Sequence, residues 1–215
     1  MPDFVVIAGP NGSGKSFYST EDDSSLAKTY ATRSFDFDFR FSELFKSFLN
    51  IMTLQIEENL HDRVKEIFEE EAEEALETFK SFSFQTNFDN HAIDLWRQKF
   101  SNRGFNTVLT FLFLEDVELC KKRVELRVSN GGHYVDSKTI ETRYIKGLIN
   151  LDTYFSKYTQ VTIIDSSSFA EIKQLFDYSN GKVKYIDEKF IDIVSNYNLI
   201  NLKSSIDSFM NSHEA

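Results

Sequence analysis

Cysteine is nearly missing from this chain of 215 residues, with Cys120 as its one thiol. An intrachain disulfide is therefore excluded, and a reducing compartment fits. Proline occurs twice, at Pro2 and Pro10, so few rigid turns punctuate the chain. Positive charge is in deficit, with 24 Lys and Arg against 34 Asp and Glu, a net charge of −10. That balance counts against sequence-independent nucleic-acid binding, which needs a basic footprint. No apolar run approaches the ~20 residues of a membrane-spanning helix. Met1-Pro2-Asp3 runs straight into a strand pattern and leaves no room for a signal peptide. The expectation is a cytoplasmic protein with no membrane and no nucleic acid among its partners. There is no internal repeat and no Gly/Ser/Pro-rich linker.

Glycine is limited to eight residues, and three of them fall in one octapeptide, Gly9-Pro10-Asn11-Gly12-Ser13-Gly14-Lys15-Ser16. It fits Gly-x4-Gly-Lys-Ser/Thr, the P-loop. Phe4-Val5-Val6-Ile7-Ala8 before it is an apolar, β-branched run of the kind that forms a buried parallel strand. The glycines permit the close backbone approach a phosphate cradle needs. A helix expected from about Lys15 turns its free N–H groups toward the anion. In this reading Lys15 reaches the β- and γ-phosphates of ATP, and the Ser16 hydroxyl ligates Mg2+.

The rest of the chain alternates strand and helix patterns. Residues 31–38 predict a second strand whose end carries Asp36 and Asp38. Residues 41–52 predict a helix with Phe41, Leu44, Phe45, Phe48 and Leu49 on one side. Residues 53–80 predict a long acidic helix, or two, with the Glu69–Glu74 charge run as a solvated face or a partner surface. Strands are predicted at 81–86, 107–114 and 160–165, with a short one at 182–186. Helices are predicted at 90–103, 117–128 and 136–155, and a closing helical region at 191–210. The fold class is thus α/β: a P-loop kinase-like parallel sheet flanked by helices on both faces, read as one domain over residues 1–215. Phe is abundant at 22 residues, so a phenylalanine-rich core follows. Ligands of such sheets bind at the carboxyl ends of the strands. That rule gathers the P-loop, Asp36, Asp38, Gln85, Thr86 and Asp165 into one crevice.

Other parts narrow the class. The Asn-Lys-x-Asp guanine reader of GTPases is missing, as is the Leu-Ser-Gly-Gly-Gln signature of ABC ATPases. Neither candidate motor strand, ending at Glu115-Asp116 or at Asp165, closes in Asp-Glu. Phosphoryl transfer instead needs cations on the γ-phosphate and a base for the acceptor hydroxyl. A lid-like segment at about 120–146 carries Arg123, Arg127 and Arg143, with Arg123 and Arg127 on one helix face. Gly131-Gly132 beside them reads as a hinge. Asp38 is the candidate base. Asp36 orients Mg2+-bound water or positions Asp38; a pair of capping or surface aspartates is the plainer alternative.

Taken in order, these residues resemble the zeta-toxin-like P-loop kinases. The match comprises the P-loop with its Pro10-Asn11, Asp36-Phe37-Asp38-Phe39-Arg40, and the Ser81–Thr86 strand. It continues through Arg123-Val-Glu-Leu-Arg127, Gly131-Gly132-His133, Arg143-Tyr144 and Asp165-Ser166-Ser167. It spans about residues 4–168. The resemblance implies a kinase using ATP and Mg2+ to phosphorylate a small molecule, a nucleotide-linked sugar such as UDP-N-acetylglucosamine, and a possible antitoxin partner. It implies Asp38 as base, Arg123 or Arg127 with Arg143 or His133 on the transferring phosphoryl, and substrate contacts from Asp36, Gln85, Thr86 and His133. Two positions depart from the pattern: Gln85 stands where a Glu belongs, and Ser166 replaces an Asn. Two other readings stay open: a nucleotide-binding ATPase or switch that docks a partner on its acidic helix, and a P-loop protein that binds nucleotide without transferring anything.

Overall fold

A computed structural model describes residues 1–20, 34–46, 54–132, 134–168 and 172–213. Its centre is a six-stranded sheet in the order β2-β1-β3-β4-β5-β6. The strands are β1 (Asp3–Ala8), β2 (Phe82–Thr86), β3 (Asn106–Phe113), β4 (Gln160–Asp165), β5 (Lys173–Ser179) and β6 (Lys182–Ile186). The first four are mutually parallel, whereas β5 and β6 run antiparallel. The parallel sheet expected from sequence is therefore a mixed one, and β5 is a strand the sequence reading did not anticipate.

β1 is the pivot. Its side chains alternate, with Phe4, Val6 and Ala8 entering the main core and Val5 and Ile7 a smaller cluster on the other face. Parallel pairing sets Ile7 beside Gln85 and Ala8 beside both Thr86 and Phe111. The carboxyl ends of β1, β2 and β3 thus share one edge, and the P-loop leaves from its middle.

Helices cover the sheet: α1 (Lys15–Thr20), α2 (Phe37–Lys46), α3 (Leu54–Thr78), α4 (Ala92–Asn102), α5 (Val117–Ser129), α6 (Ser137–Tyr154), α7 (Glu188–Asn196) and α8 (Ile200–His213). Tyr18 of α1 packs on the smaller cluster, while residues of α3 to α8 join the main core. The acidic segment is a single helix, α3. Leu60, Val64, Phe68, Ala72, Ala75 and Leu76 make its buried stripe at helical spacing. Its glutamates point outward, and Arg40, Arg63 and Lys99 pair with several of them. The expected closing helical region consists of two helices, α7 and α8.

The phenylalanines do much of the packing. Phe68 meets Phe35, Phe37, Phe84 and Trp96, and Phe4 stacks on Phe100 at 4.2 Å. Each fully buried ring contributes about 1.5–3 kcal/mol.

The predicted strand at 31–38 is overturned where the structure describes it. Phe35 makes only an isolated parallel bridge to Phe84. Asp36 then caps a helix: its Oδ1 accepts from Phe39 N at 3.1 Å, and its carbonyl accepts from Arg40 N at 3.0 Å. Residues 31–33 and the 47–52 end of the next predicted helix lie outside the described residues.

Candidate functional site

The octapeptide forms a tight cradle between β1 and α1. Gly9 has φ 148°, and a Cβ there would lie 2.5 Å from the Leu112 carbonyl oxygen. Gly12 has φ 81°, and its Cβ would meet the Arg123 Cβ at 2.9 Å. Both positions exclude a side chain by conformation and by space. Two side chains of the loop, Asn11 and Ser13, are buried, and neither Asn11 Oδ1 nor Ser13 Oγ has a hydrogen-bond partner among the described residues. Orphan acceptors of this kind cost about 1–3 kcal/mol each.

Lys15 folds back over the loop. Its Nζ donates to Gly9 O at 2.8 Å, Pro10 O at 2.9 Å and Asn87 Oδ1 at 3.1 Å. Burial pushes its pKa down to about 8, against the opposing pull of Asp38 and Asp36. Ser16 Oγ donates to Asp36 Oδ2 at 2.7 Å and lies 3.1 Å from Gln85 Oε1. One hydroxyl therefore meets two side-chain oxygens, drawn from a helix cap and a strand end.

Around the cradle opens a cleft of about 700 Å³. Asp36, Asp38, Asp89, Lys65, Arg123, Arg127 and Arg143 line it, together with an aromatic wall of Phe37, Phe68, Phe84 and Trp96. Asp38 lies in the first turn of α2, not at a strand end, and is 65 % exposed, with Arg127 Nη1 3.6 Å from its Oδ2. Arg123 commits two donors to backbone, Nη1 to Gly12 O at 3.2 Å and Nη2 to Ser167 O at 2.7 Å. It thereby ties the cradle to the end of β4. Arg143 lies 3.3 Å from Asp89.

Gln85 and Thr86 line the same cleft, as expected. Gln85 is buried at the end of β2. Thr86 Oγ1 accepts from Phe88 N at 3.0 Å, which shapes the turn after β2. His133 lies outside the described residues. Gly132 packs so closely that a Cβ would sit 2.5 Å from Arg127 Cγ. Asp165 does not line the cleft: its Oδ2 accepts from Lys189 Nζ at 2.6 Å, an ion pair that joins β4 to α7. Asn87 and Asp89 were not anticipated, because no motif marks them. Among the described residues no group of three or more His, Cys, Asp or Glu could hold a metal ion, and no helix is long and apolar enough to cross a membrane.

No family model and no curated protein sequence matches the chain. Solved structures do. A chain from the AvrRxo1-ORF1:-ORF2 crystal structure with ATP superposes with a TM-score of 0.63 at 14 % identity, covering 97 % of this chain and 76 % of that one. The same complex with sulphate ions gives a TM-score of 0.64 at 13 % identity, with the same coverage. A chain from the PezAT chromosomal toxin-antitoxin system of Streptococcus pneumoniae gives 0.59 at 12 %, covering 93 % and 87 %. At such identity the likeness establishes the fold: a six-stranded α/β sheet built like those of these proteins.

Proposed function

We propose that the chain is an ATP-dependent phosphotransferase acting on a hydroxyl of a small molecule. The observation that carries the reading is one cleft with both halves of the reaction in it. A P-loop with Lys15 and Ser16 forms one side, and Asp38, Arg127 and Arg143 line the same space. Similarity in fold to a structure holding ATP supports ATP as the donor.

In this reading Asp38 accepts the acceptor's hydroxyl proton. The acceptor oxygen bonds to the γ-phosphorus as the bond from that phosphorus to ADP breaks. Lys15, Arg127 and Arg143 offset the charge on the transferring group, and Arg123 braces the cradle beneath it. The oxygens of Ser16 and Asp36, 2.7 Å apart, fit Mg2+, which takes few protein ligands beside substrate phosphates. When bound there, the ion would neutralise phosphate charge. His133 belongs to the substrate side by resemblance alone.

A nucleotide-linked sugar such as UDP-N-acetylglucosamine remains the proposed acceptor. Phe37 and Trp96, half-buried on the cleft wall, offer a flat ring a stacking surface. An antitoxin is the proposed partner, supported by the toxin-antitoxin system and the two-component complex among the structural relatives. The cytoplasm is the proposed location. The switch reading loses ground because Arg40, Arg63 and Lys99 already engage parts of the acidic face of α3.

Purified protein with Mg2+-ATP and UDP-N-acetylglucosamine, or a metabolite pool, tests the reading. The expected result is a phosphorylated product whose formation depends on the acceptor. ATP turnover indifferent to any acceptor, with no product, would sink it.

A further inference from the structure

The turn from β2 into α4 holds a residue in a conformation it would not choose. Phe88 has φ 61°, the left-handed region, which is costly for a bulky side chain. Three contacts hold it there. Its ring is buried, with the rings of Phe111 and Tyr158 each 6.4 Å away. Its N–H donates to Thr86 Oγ1 at 3.0 Å. Its carbonyl accepts from the buried Asn150 Nδ2 of α6 at 2.8 Å. One turn before Asn150, Gly147 lets the segment approach: a Cβ there would lie 2.9 Å from the Asn87 carbonyl oxygen.

The residues on either side of Phe88 both reach cleft cations. Asn87 Oδ1 accepts from Lys15 Nζ at 3.1 Å, and Asp89 Oδ2 lies 3.3 Å from Arg143 Nε. Arg143 is on α6, the helix that also clamps the turn. One strained residue therefore fixes both partners at once, and a change in its backbone would move both.

Resting on the phosphotransferase reading, we propose that Asn87 and Asp89 are positioning residues. The Phe88 turn, clamped by Asn150, sets where Lys15 and Arg143 stand in the cleft and so governs recognition of the terminal phosphate. Arg143 meets Asp89 through Nε, so its Nη groups are the ones a phosphate would engage. The recognised chemistry is the third phosphate of a nucleoside triphosphate, distinguished from a diphosphate.

The experiment measures equilibrium affinity for ATP and for ADP, alongside melting temperature. Wild type prefers ATP. Asp89→Asn is expected to weaken ATP about tenfold while ADP changes by less than about twofold, the scale of one charge-assisted contact. Asn150→Ala moves the ratio the same way. Asp89→Asn with Arg143→Gln does no more harm than Arg143→Gln alone, because the carboxylate acts through the guanidinium. Ile206→Ala, buried in α8, lowers the melting temperature and leaves the ratio unchanged. If Asn150→Ala does not fold, the isosteric Asp89→Asn decides. A wild-type ratio in Asp89→Asn, or additive losses in the double variant, overturns the proposal while the transferase reading stands. A wild type that binds neither nucleotide overturns that reading, and the proposal with it.

Discussion

Asp36 and Asp165 each fall toward the end of a strand predicted from the sequence, and both were expected in one crevice. The structure uses them in opposite ways. Asp36 caps α2 with one oxygen and meets Ser16 with the other, facing the cradle. Asp165 is buried, held by Lys189 and by the Ser167 N–H, and stitches β4 to α7. The lesson is about neighbours. A carboxylate at the edge of the sheet is available for chemistry only if no lysine from the next layer claims it. The antiparallel extension repeats the pattern at Asp187, which Lys173 holds at 2.6 Å.

Mutations can break this contrast. The largest effect belongs to the cradle itself. Lys15→Ala should cut phosphoryl transfer by about a thousandfold or more, read as product formed from labelled ATP, since it removes the cation proposed to offset charge on the transferring group. The pH dependence sharpens this. The pKa of Lys15 stands at about 8 in the folded chain, so affinity for ATP should fall as pH rises through 8. Its folded value is below its unfolded value, so the burden of burying the ammonium is present below pH 8 and eases as pH rises toward the ordinary lysine value of 10.5. Titrating ATP affinity in wild type against Lys15→Arg separates this group from others.

Asp36→Asn comes next. It keeps a capping oxygen but loses the charge beside Ser16. Transfer should fall about ten- to a hundredfold, with a higher Mg2+ requirement and a melting temperature shifted by only a few degrees. A drop in melting temperature without a change in Mg2+ dependence would make Asp36 a cap and nothing more.

Asp165→Asn should have the smallest effect on chemistry. Burial opposes ionisation of Asp165, yet hydrogen bonds from Lys189 and Ser167 hold its pKa below the usual carboxylate value. Its stabilising contribution is therefore present above about pH 4 and is lost as pH falls through the depressed value. The variant should melt a few degrees lower at pH 7, converge with wild type in strong acid, and transfer phosphate at the wild-type rate. Loss of transfer at unchanged stability would return Asp165 to the cleft.

Much of this architecture was legible beforehand. β1, the octapeptide, β3 and the α3 stripe announce themselves through apolar runs, spaced glycines and helical period. Asp36 and Asp38 misled because Phe35-Asp36-Phe37-Asp38-Phe39 alternates like a strand. The cap at Asp36 and the packing of Phe37, Phe41 and Leu44 override that alternation. β5 escaped because Lys173-Gln-Leu-Phe-Asp-Tyr-Ser179 lacks β-branched residues, and its ladder shifts register near Ile163 and again near Asp177. Asn87 and Asp89 could not be read at all. Their proposed role depends on a positive φ at Phe88 and a clamp from Asn150, 62 residues away.

Asp38 lines the same cleft as the cradle and is proposed to serve the acceptor and not the nucleotide. Asp38→Asn measures it most directly, with transfer and ATP affinity determined on the same preparation. ATP affinity should stay near wild type while transfer falls by about a hundredfold or more. Transfer retained, or nucleotide binding lost together with it, would contradict the assignment.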